Sequence, residues 1–207
     1  QLLPVYDKPL IHYPLQILLD AGIKDIMIIS GTEHIDQIAE YLGSGSKFGC
    51  TFSFKIQEKA GGIAQALGLA ADEFADGESV CAILGDNVYF DDLSSHIQSF
   101  TGGGHVFLKE VDDPERFGIA EIENNKVISV EEKPAQPKSN LAITGCYVYD
   151  NRCFEVIKNL KPSARGEFEI TDVTDWYLQN GELNATTLDK DWIDAGTFES
   201  LFLAASK

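Results

Sequence analysis

Two aspartates stand where this pattern of residues could hold a metal ion. Leu84-Gly85-Asp86-Asn87 closes the apolar run Val80-Cys81-Ala82-Ile83-Leu84, and in an open parallel sheet ligands bind beyond the carboxyl ends of the strands. Gly85 would admit a close backbone approach. Asp86 could ligate Mg²⁺, which commonly takes one or two carboxylates and completes its shell from phosphate and water. A turn capped by Asp and Asn is the competing reading of these residues. Near the other end, Trp192-Ile193-Asp194-Ala195-Gly196-Thr197 offers a second aspartate before a small-residue turn into a final helix. Asp194 is the obvious partner for Asp86, and the alternative is an ordinary helix start with Thr197 as N-cap.

Three further stretches carry polar chemistry. Gln57-Glu58-Lys59-Ala60-Gly61-Gly62-Ile63-Ala64-Gln65-Ala66 passes from a strand end through two glycines into a helix. Its free N–H groups and the Gln57 amide offer both donors and acceptors, the set needed to read a nucleobase edge, although a plain strand-to-helix turn has the same spacing. Glu131-Glu132-Lys133-Pro134 and Ser163-Ala164-Arg165-Gly166-Glu167 set single cations beside carboxylates. Lys133 could hold a phosphate as a point charge and Arg165 as a bidentate fork, with a neighbouring Glu bonding sugar hydroxyls; solvated surface ion pairs are the alternative. Gly43-Ser44-Gly45-Ser46-Lys47-Phe48-Gly49 suggests a phosphate loop, but it follows a helix and fits neither the dinucleotide nor the Walker spacing. His12, His34, His96 and His105 lack metal-ligand spacing and no GxSxG elbow is present, so zinc and serine-hydrolase chemistry are not indicated.

These residues must be positioned by a chain of 207 residues, 44% hydrophobic and 24% charged, a globular mix with length enough for one sizeable core. The net charge is −17, from 33 acidic and 16 basic residues. A field of that sign repels nucleic acid and anionic lipid, so neither nucleic acid nor membrane is an expected partner, and a phosphorylated substrate must be met by a few local cations or a metal. Cys50, Cys81, Cys146 and Cys153 form no CxxC pair, and Cys81 and Cys146 lie in apolar runs. They read as reduced core thiols, which implies a cytoplasmic setting. No apolar run is long enough to cross a bilayer.

Helical spacing of Ile11, Leu15, Leu18 and Leu19 predicts a helix ending at Gly22, followed by a buried strand over Asp25–Ser30 and a helix from Ile35 to Leu42. Thr51–Ile56 alternates as a strand, Ile63–Phe74 repeats at helical spacing, and Val80–Leu84 is again a buried strand. This alternation predicts an α/β fold of Rossmann-like kind, with a mostly parallel central sheet and helices on both faces. Beyond Asp92 the pattern loosens. Short strands are expected at His105–Glu110, Ile119–Ile122, Val127–Val130 and Ile143–Tyr149, and helices near Cys153–Asn159 and Glu169–Gln179.

Seven ordered stretches together resemble the glucose-1-phosphate thymidylyltransferases, within the sugar-1-phosphate nucleotidyltransferases. They are Gln1–Pro9, Gly62–Ala66, Leu84–Asn87, Asp113–Gly118, Glu131–Pro134, Pro162–Glu167 and Asp194–Thr197. The resemblance implies a reaction of dTTP with glucose 1-phosphate to give dTDP-glucose and pyrophosphate. Asp86 and Asp194 would hold catalytic Mg²⁺, while Gln57 and Gly62 would contact the thymine base. Gly118, Glu132, the Ile143 backbone and Tyr147 would surround the glucosyl unit, and Lys133 and Arg165 would hold its phosphate. It implies a place in dTDP-rhamnose and polysaccharide biosynthesis, and leaves room for a homo-oligomer.

In the family a first strand and a glycine-rich loop of GGxGTRL type precede the first of these stretches, and that loop's N–H groups cradle the triphosphate. The sequence opens at Gln1 without them. The expectation is a single nucleotidyltransferase domain over 1–207, N-terminally incomplete and with little or no transferase activity of its own. As it stops at Lys207, no second regulatory nucleotide site is expected. A UTP- or CTP-dependent relative, or a catalytically silent homologue that binds nucleotide-sugar, are the alternatives.

Overall fold

In the computed structural model, which describes residues 1–74 and 77–207, a short antiparallel pair, β1 (Pro4–Val5) and β2 (Lys8–Pro9), leads into α1 (His12–Asp20). There follow β3 (Asp25–Gly31), α2 (Ile35–Leu42), β4 (Thr51–Gln57), α3 (Ile63–Gly68), β5 (Ser79–Ile83), β6 (Asn87–Tyr89) and α4 (Ser94–Gln98). The second half holds β7 (Gly104–Glu110), β8 (Gly118–Glu123), β9 (Lys126–Glu132), β10 (Leu141–Asp150), α5 (Arg152–Asn159), α6 (Ile170–Gln179), β11 (Leu183–Thr187), β12 (Trp192–Asp194) and α7 (Phe198–Ser206).

The expected strands and helices are present, most of them within a residue or two of the predicted limits. The expected helix over Ile63–Phe74 is shorter, because α3 stops at Gly68, where a side chain would meet Ile157 of α5 at 2.9 Å, and a 3-10 turn takes over at Ala71–Glu73.

The α/β class is as expected, but the proportion of parallel pairing is smaller than the alternation of elements suggests. Parallel pairs are β3–β4 and β7–β11; β10 pairs antiparallel with β5, β7 and β8, and β8 with β9. For one of these pairs the physical reason is a short connection. β8 and β9 are joined at Asn124 and Asn125, both in the left-handed region (φ 50° and 61°), a two-residue turn that matches strand twist and forces antiparallel return. The mixed sheet runs β11-β7-β10-β8-β9, with β5 also on β10.

β10 is the centre of this sheet, and its side chains alternate between two cores. Tyr147 and Tyr149 enter the core under α3, α5 and α6, whereas Cys146 and Val148 enter one with Tyr89, Leu93 and Phe107. A strand covered on both faces needs apolar residues at consecutive positions, which is why Leu141–Tyr149 is almost uninterrupted by charge. Its ladder with β7 breaks between Ile143 and Tyr147, and Gly145 sits in the break. There the Gly145 carbonyl accepts Leu84 N–H at 2.8 Å, tying the bulge to the loop beyond β5.

At the β7–β11 edge, His105 Nε2 lies 3.0 Å from Thr186 Oγ1, beside His96 and Phe107. Burial, helped by His96, depresses its pKa from 6.5 to about 4. The folded state therefore refuses a proton that the unfolded chain accepts, so stability falls as pH drops through that window. Urea midpoints at about pH 7 and pH 5 should differ, and His105→Asn should narrow the difference; an equal drop in the variant would show another group responsible. In the core beneath the helices Leu108 is fully buried, and Leu108→Ala should cost about 2–5 kcal/mol by urea unfolding.

Candidate functional site

Asp86 and Asp194 come together because β6 and β12 pair antiparallel, with Asp194 opposite Asn87, and because Ala195 N–H donates to the Asp86 carbonyl at 2.8 Å. Both carboxylates then flank Gly196. A Cβ there would stand 3.2 Å from Asp194 Oδ1 and 3.8 Å from Asp86 Oδ2, so the absent side chain leaves a space bounded by two carboxylate oxygens. Asp194 has its pKa raised, first by burial and then by the charge of Asp86, against the opposing charge of Arg116.

The pairing is fixed by Asn87, which is 1% exposed. Its Oδ1 accepts Gly145 N–H at 3.0 Å and Trp192 Nε1–H at 2.7 Å, both groups that can only donate. The orientation of the amide is thereby forced, and its Nδ2 donates to Asp86 Oδ1 at 2.9 Å. One side chain thus joins the loop after β5, the β10 bulge and β12.

Two cavities meet at Asp86. One, about 380 Å³, is bounded by Gln1, Leu3, Leu10 and the Ala195–Leu201 segment. The other is a cleft of about 220 Å³ running from Asp86 and Asp194 to Glu132, Lys133 and Arg165. Gly118, Ile143 and Tyr147 also line it, so eight of the ten residues singled out in the sequence share one cleft. Gly118 and Glu132 face each other across β8 and β9; a Cβ on Gly118 would lie 2.8 Å from Thr171 Oγ1 and 3.3 Å from Glu132 Oε2, so glycine keeps this wall open. Glu132 accepts from the Thr171 hydroxyl and from Arg165 at 3.2 Å, and burial raises its pKa.

The cleft's cations differ in how they are held. Arg165 lies among three carboxylates, Glu169 at 2.9 Å, Glu132 at 3.2 Å and Glu167 at 3.4 Å. Lys133 follows β9 in the left-handed region (φ 42°), unusual for a lysine, with its N–H held by the Phe117 carbonyl at 2.9 Å. Arg116, not singled out from the sequence, stands 3.6 Å from Asp194 Oδ2. The available signal was a cation within the Asp113–Gly118 stretch of a strongly acidic chain.

Gln57 and Gly62 are brought to each other but do not line the cleft. Gln57 Nε2 donates to the Gly62 carbonyl at 3.1 Å and to Gln65 Oε1 at 2.8 Å. Gly62, at φ 100°, lies against the backbone of Phe168, whose carbonyl a Cβ would meet at 2.4 Å. The next residue, Ile63, does line the cleft, so this pair stands at its rim.

Asn87→Leu should destabilise the fold by about 1–3 kcal/mol for each well-formed hydrogen bond it breaks, those from Gly145 N–H and Trp192 Nε1–H first, with the longer one from the Tyr89 hydroxyl adding less. Thermal unfolding checks this; an unchanged midpoint would mean that the amide does not join the three segments.

A profile of the nucleotidyl transferase family matches residues 1–207. The chain is 46% identical to a glucose-1-phosphate thymidylyltransferase of Neisseria meningitidis serogroup A, over all of this chain and 74% of that protein. It is 41% identical to the enzyme so named in Mycolicibacterium smegmatis, over 99% of this chain and 73% of that one. A Bacillus anthracis crystal structure assigned as a glucose-1-phosphate thymidylyltransferase, in complex with a sucrose, superposes with a TM-score of 0.93 at 49% identity, covering 99% of this chain and 84% of that one. A UDP-glucose pyrophosphorylase complexed with UDP-glucose shares the fold at a TM-score of 0.83 and 23% identity, over 99% of this chain and 88% of that one. With a full-length profile match and relatives above 40% identity along its whole extent, this chain belongs to the nucleotidyl transferase family.

Proposed function

We propose that the chain handles the reaction of dTTP with glucose 1-phosphate to give dTDP-glucose and pyrophosphate. The observation that carries this reading is the convergence of Asp86 and Asp194 at one end of a cleft whose other end holds Glu132 between a glycine wall and two cations. Relatives bearing the thymidylyltransferase name across the whole chain supply the nucleotide and the sugar.

Two carboxylate oxygens facing the open position at Gly196 fit Mg²⁺, which is satisfied by one or two carboxylates. Asp86 and Asp194 would hold it, and when bound it neutralises phosphate charge in a protein of net charge −17. Lys133 and Arg165 would hold the sugar phosphate. Glu132 and the open wall at Gly118 would receive glucosyl hydroxyls, with the Ile143 backbone and Tyr147 closing that pocket, while Gln57 and Gly62 would meet the base at the rim. Gln57 is suited to this because its N–H₂ is already committed to Gly62 and Gln65, which fixes where its carbonyl oxygen lies.

The cleft lining contains no Ser, Cys or His among the described residues, which favours direct attack of the sugar phosphate oxygen on the α-phosphorus with pyrophosphate leaving. The chain's residues would contribute chiefly by holding both phosphates in line and by placing positive charge where negative charge develops. No helix among the described residues is long and apolar enough to cross a membrane.

Titration calorimetry of this chain in Mg²⁺ should show dTDP-glucose binding more tightly than UDP-glucose. Lys133→Ala should weaken that binding by about 10–100-fold, the worth of one charge-assisted contact, and Gly196→Ala should weaken its dependence on Mg²⁺. Preference for UDP-glucose would remove the thymidylyl assignment. Binding indifferent to both substitutions would remove the cleft as the site.

A further inference from the structure

Each of the two converging carboxylates has a polar neighbour at its other oxygen. Asp86 receives Asn87 Nδ2–H on Oδ1, and its Oδ2 is the oxygen near Gly196. Asp194 turns Oδ1 toward Gly196, and its Oδ2 is the oxygen facing Arg116 Nη2 at 3.6 Å. The two contacts differ in kind: an amide hydrogen-bonds the outward oxygen of Asp86, a guanidinium stands at ion-pair distance from that of Asp194, and the inward oxygens both face Gly196, whose N–H also donates to the Asp194 carboxylate.

Arg116 is itself held in place. Its Nη1 donates to Asp113 Oδ2 at 2.6 Å, its guanidinium lies 5.1 Å from the centroid of the Phe117 ring, and its N–H closes the 3-10 turn at Pro114–Arg116 onto the Asp113 carbonyl at 3.2 Å. A planar fork anchored through one nitrogen aims the other in a fixed direction, which a lysine on a flexible stem would not do.

We infer that Arg116 is a positioning residue for Asp194: its charge, at ion-pair distance, draws the outward oxygen so that Oδ1 faces the cation site. The inference rests on the reading of the two aspartates as Mg²⁺ ligands and extends it to the residue that orients the second of them. Two effects compete. A carboxylate free to rotate must be ordered when the ion binds, and tying one oxygen removes that cost beforehand. Against this, a guanidinium repels a divalent cation. Asp113 at 2.6 Å offsets part of the Arg116 charge, which reduces the repulsion that the orienting contact must outweigh.

The test uses Mn²⁺ as the probe, titrated calorimetrically into this chain, into Arg116→Gln and Arg116→Lys, and into Asp86→Asn to measure non-specific uptake by an acidic protein. Arg116→Gln should weaken specific Mn²⁺ binding by about 10–100-fold, the usual effect of losing the partner of a metal ligand. Arg116→Lys should recover part of it. Thermal midpoints should stay unchanged, since an ion pair this exposed contributes little stability. Equal or tighter Mn²⁺ binding by Arg116→Gln would overturn the inference and make Arg116 a spectator or a competitor. Should the parent chain take up no more Mn²⁺ than Asp86→Asn, the aspartate pair is not a cation site and the positioning role falls with it.

Discussion

A buried carboxamide with one donor group and one acceptor can join segments only if every partner matches it, and the geometry at Asn87 meets that condition. Gly145 N–H and Trp192 Nε1–H both require an acceptor, so Oδ1 must face them and Nδ2 must face Asp86. The two-stranded pairing of β6 with β12 is short, only three residues on each side, and would be marginal alone. With Asn87 at its start it is fastened to the central strand β10. The approach of Asp194 to Asp86 depends on that fastening.

The same dependence explains the bulge in β10. A regular ladder would send the Gly145 N–H and carbonyl to a neighbouring strand; the register break between Ile143 and Tyr147 releases them to Asn87 Oδ1 and Leu84 N–H. A side chain at Gly145 would meet the Asn87 oxygen at 2.6 Å. The glycine is therefore required by close approach, while Ile143 and Tyr147 on either side of the break are left lining the cleft.

Electrostatically the cleft gathers three cations, Arg116, Lys133 and Arg165, among five carboxylates in a very acidic molecule. Arg165 holds Glu132, Glu167 and Glu169 around it, which fixes the guanidinium and leaves a carboxylate-rich wall able to bond hydroxyls. Arg116 shares itself between Asp113 and Asp194. Cations so heavily matched do little to attract a polyphosphate by long-range field, so a metal ion carrying two charges is the natural means of bringing one in.

Much of the architecture was legible from periodicity. Consecutive apolar residues at Ile143–Tyr149 and Val80–Leu84 mark strands covered on both faces, and helical spacing marks α1, α2, α5 and α6. The antiparallel share of the sheet was not legible, because alternation of strands and helices does not report which neighbour each strand finds; the turn at Asn124-Asn125 decides it for β8 and β9. The short strands β6 and β12 were also missed, three residues being too few to show a period.

By itself the sequence determined which residue types were available: the two aspartates before small-residue turns, the isolated cations beside glutamates, and the glycines at Gly118 and Gly196 where a wall must stay open. Only the tertiary structure decided which of them meet. It drew eight of the ten candidate residues into one cleft, set Gln57 and Gly62 at its rim, and added Asn87, which bonds the outward oxygen of Asp86, and Arg116, which stands beside that of Asp194. The reason is that these contacts join segments far apart in the chain, through single hydrogen bonds whose partners carry no periodic signal; they exist only once β10, β6 and β12 have packed.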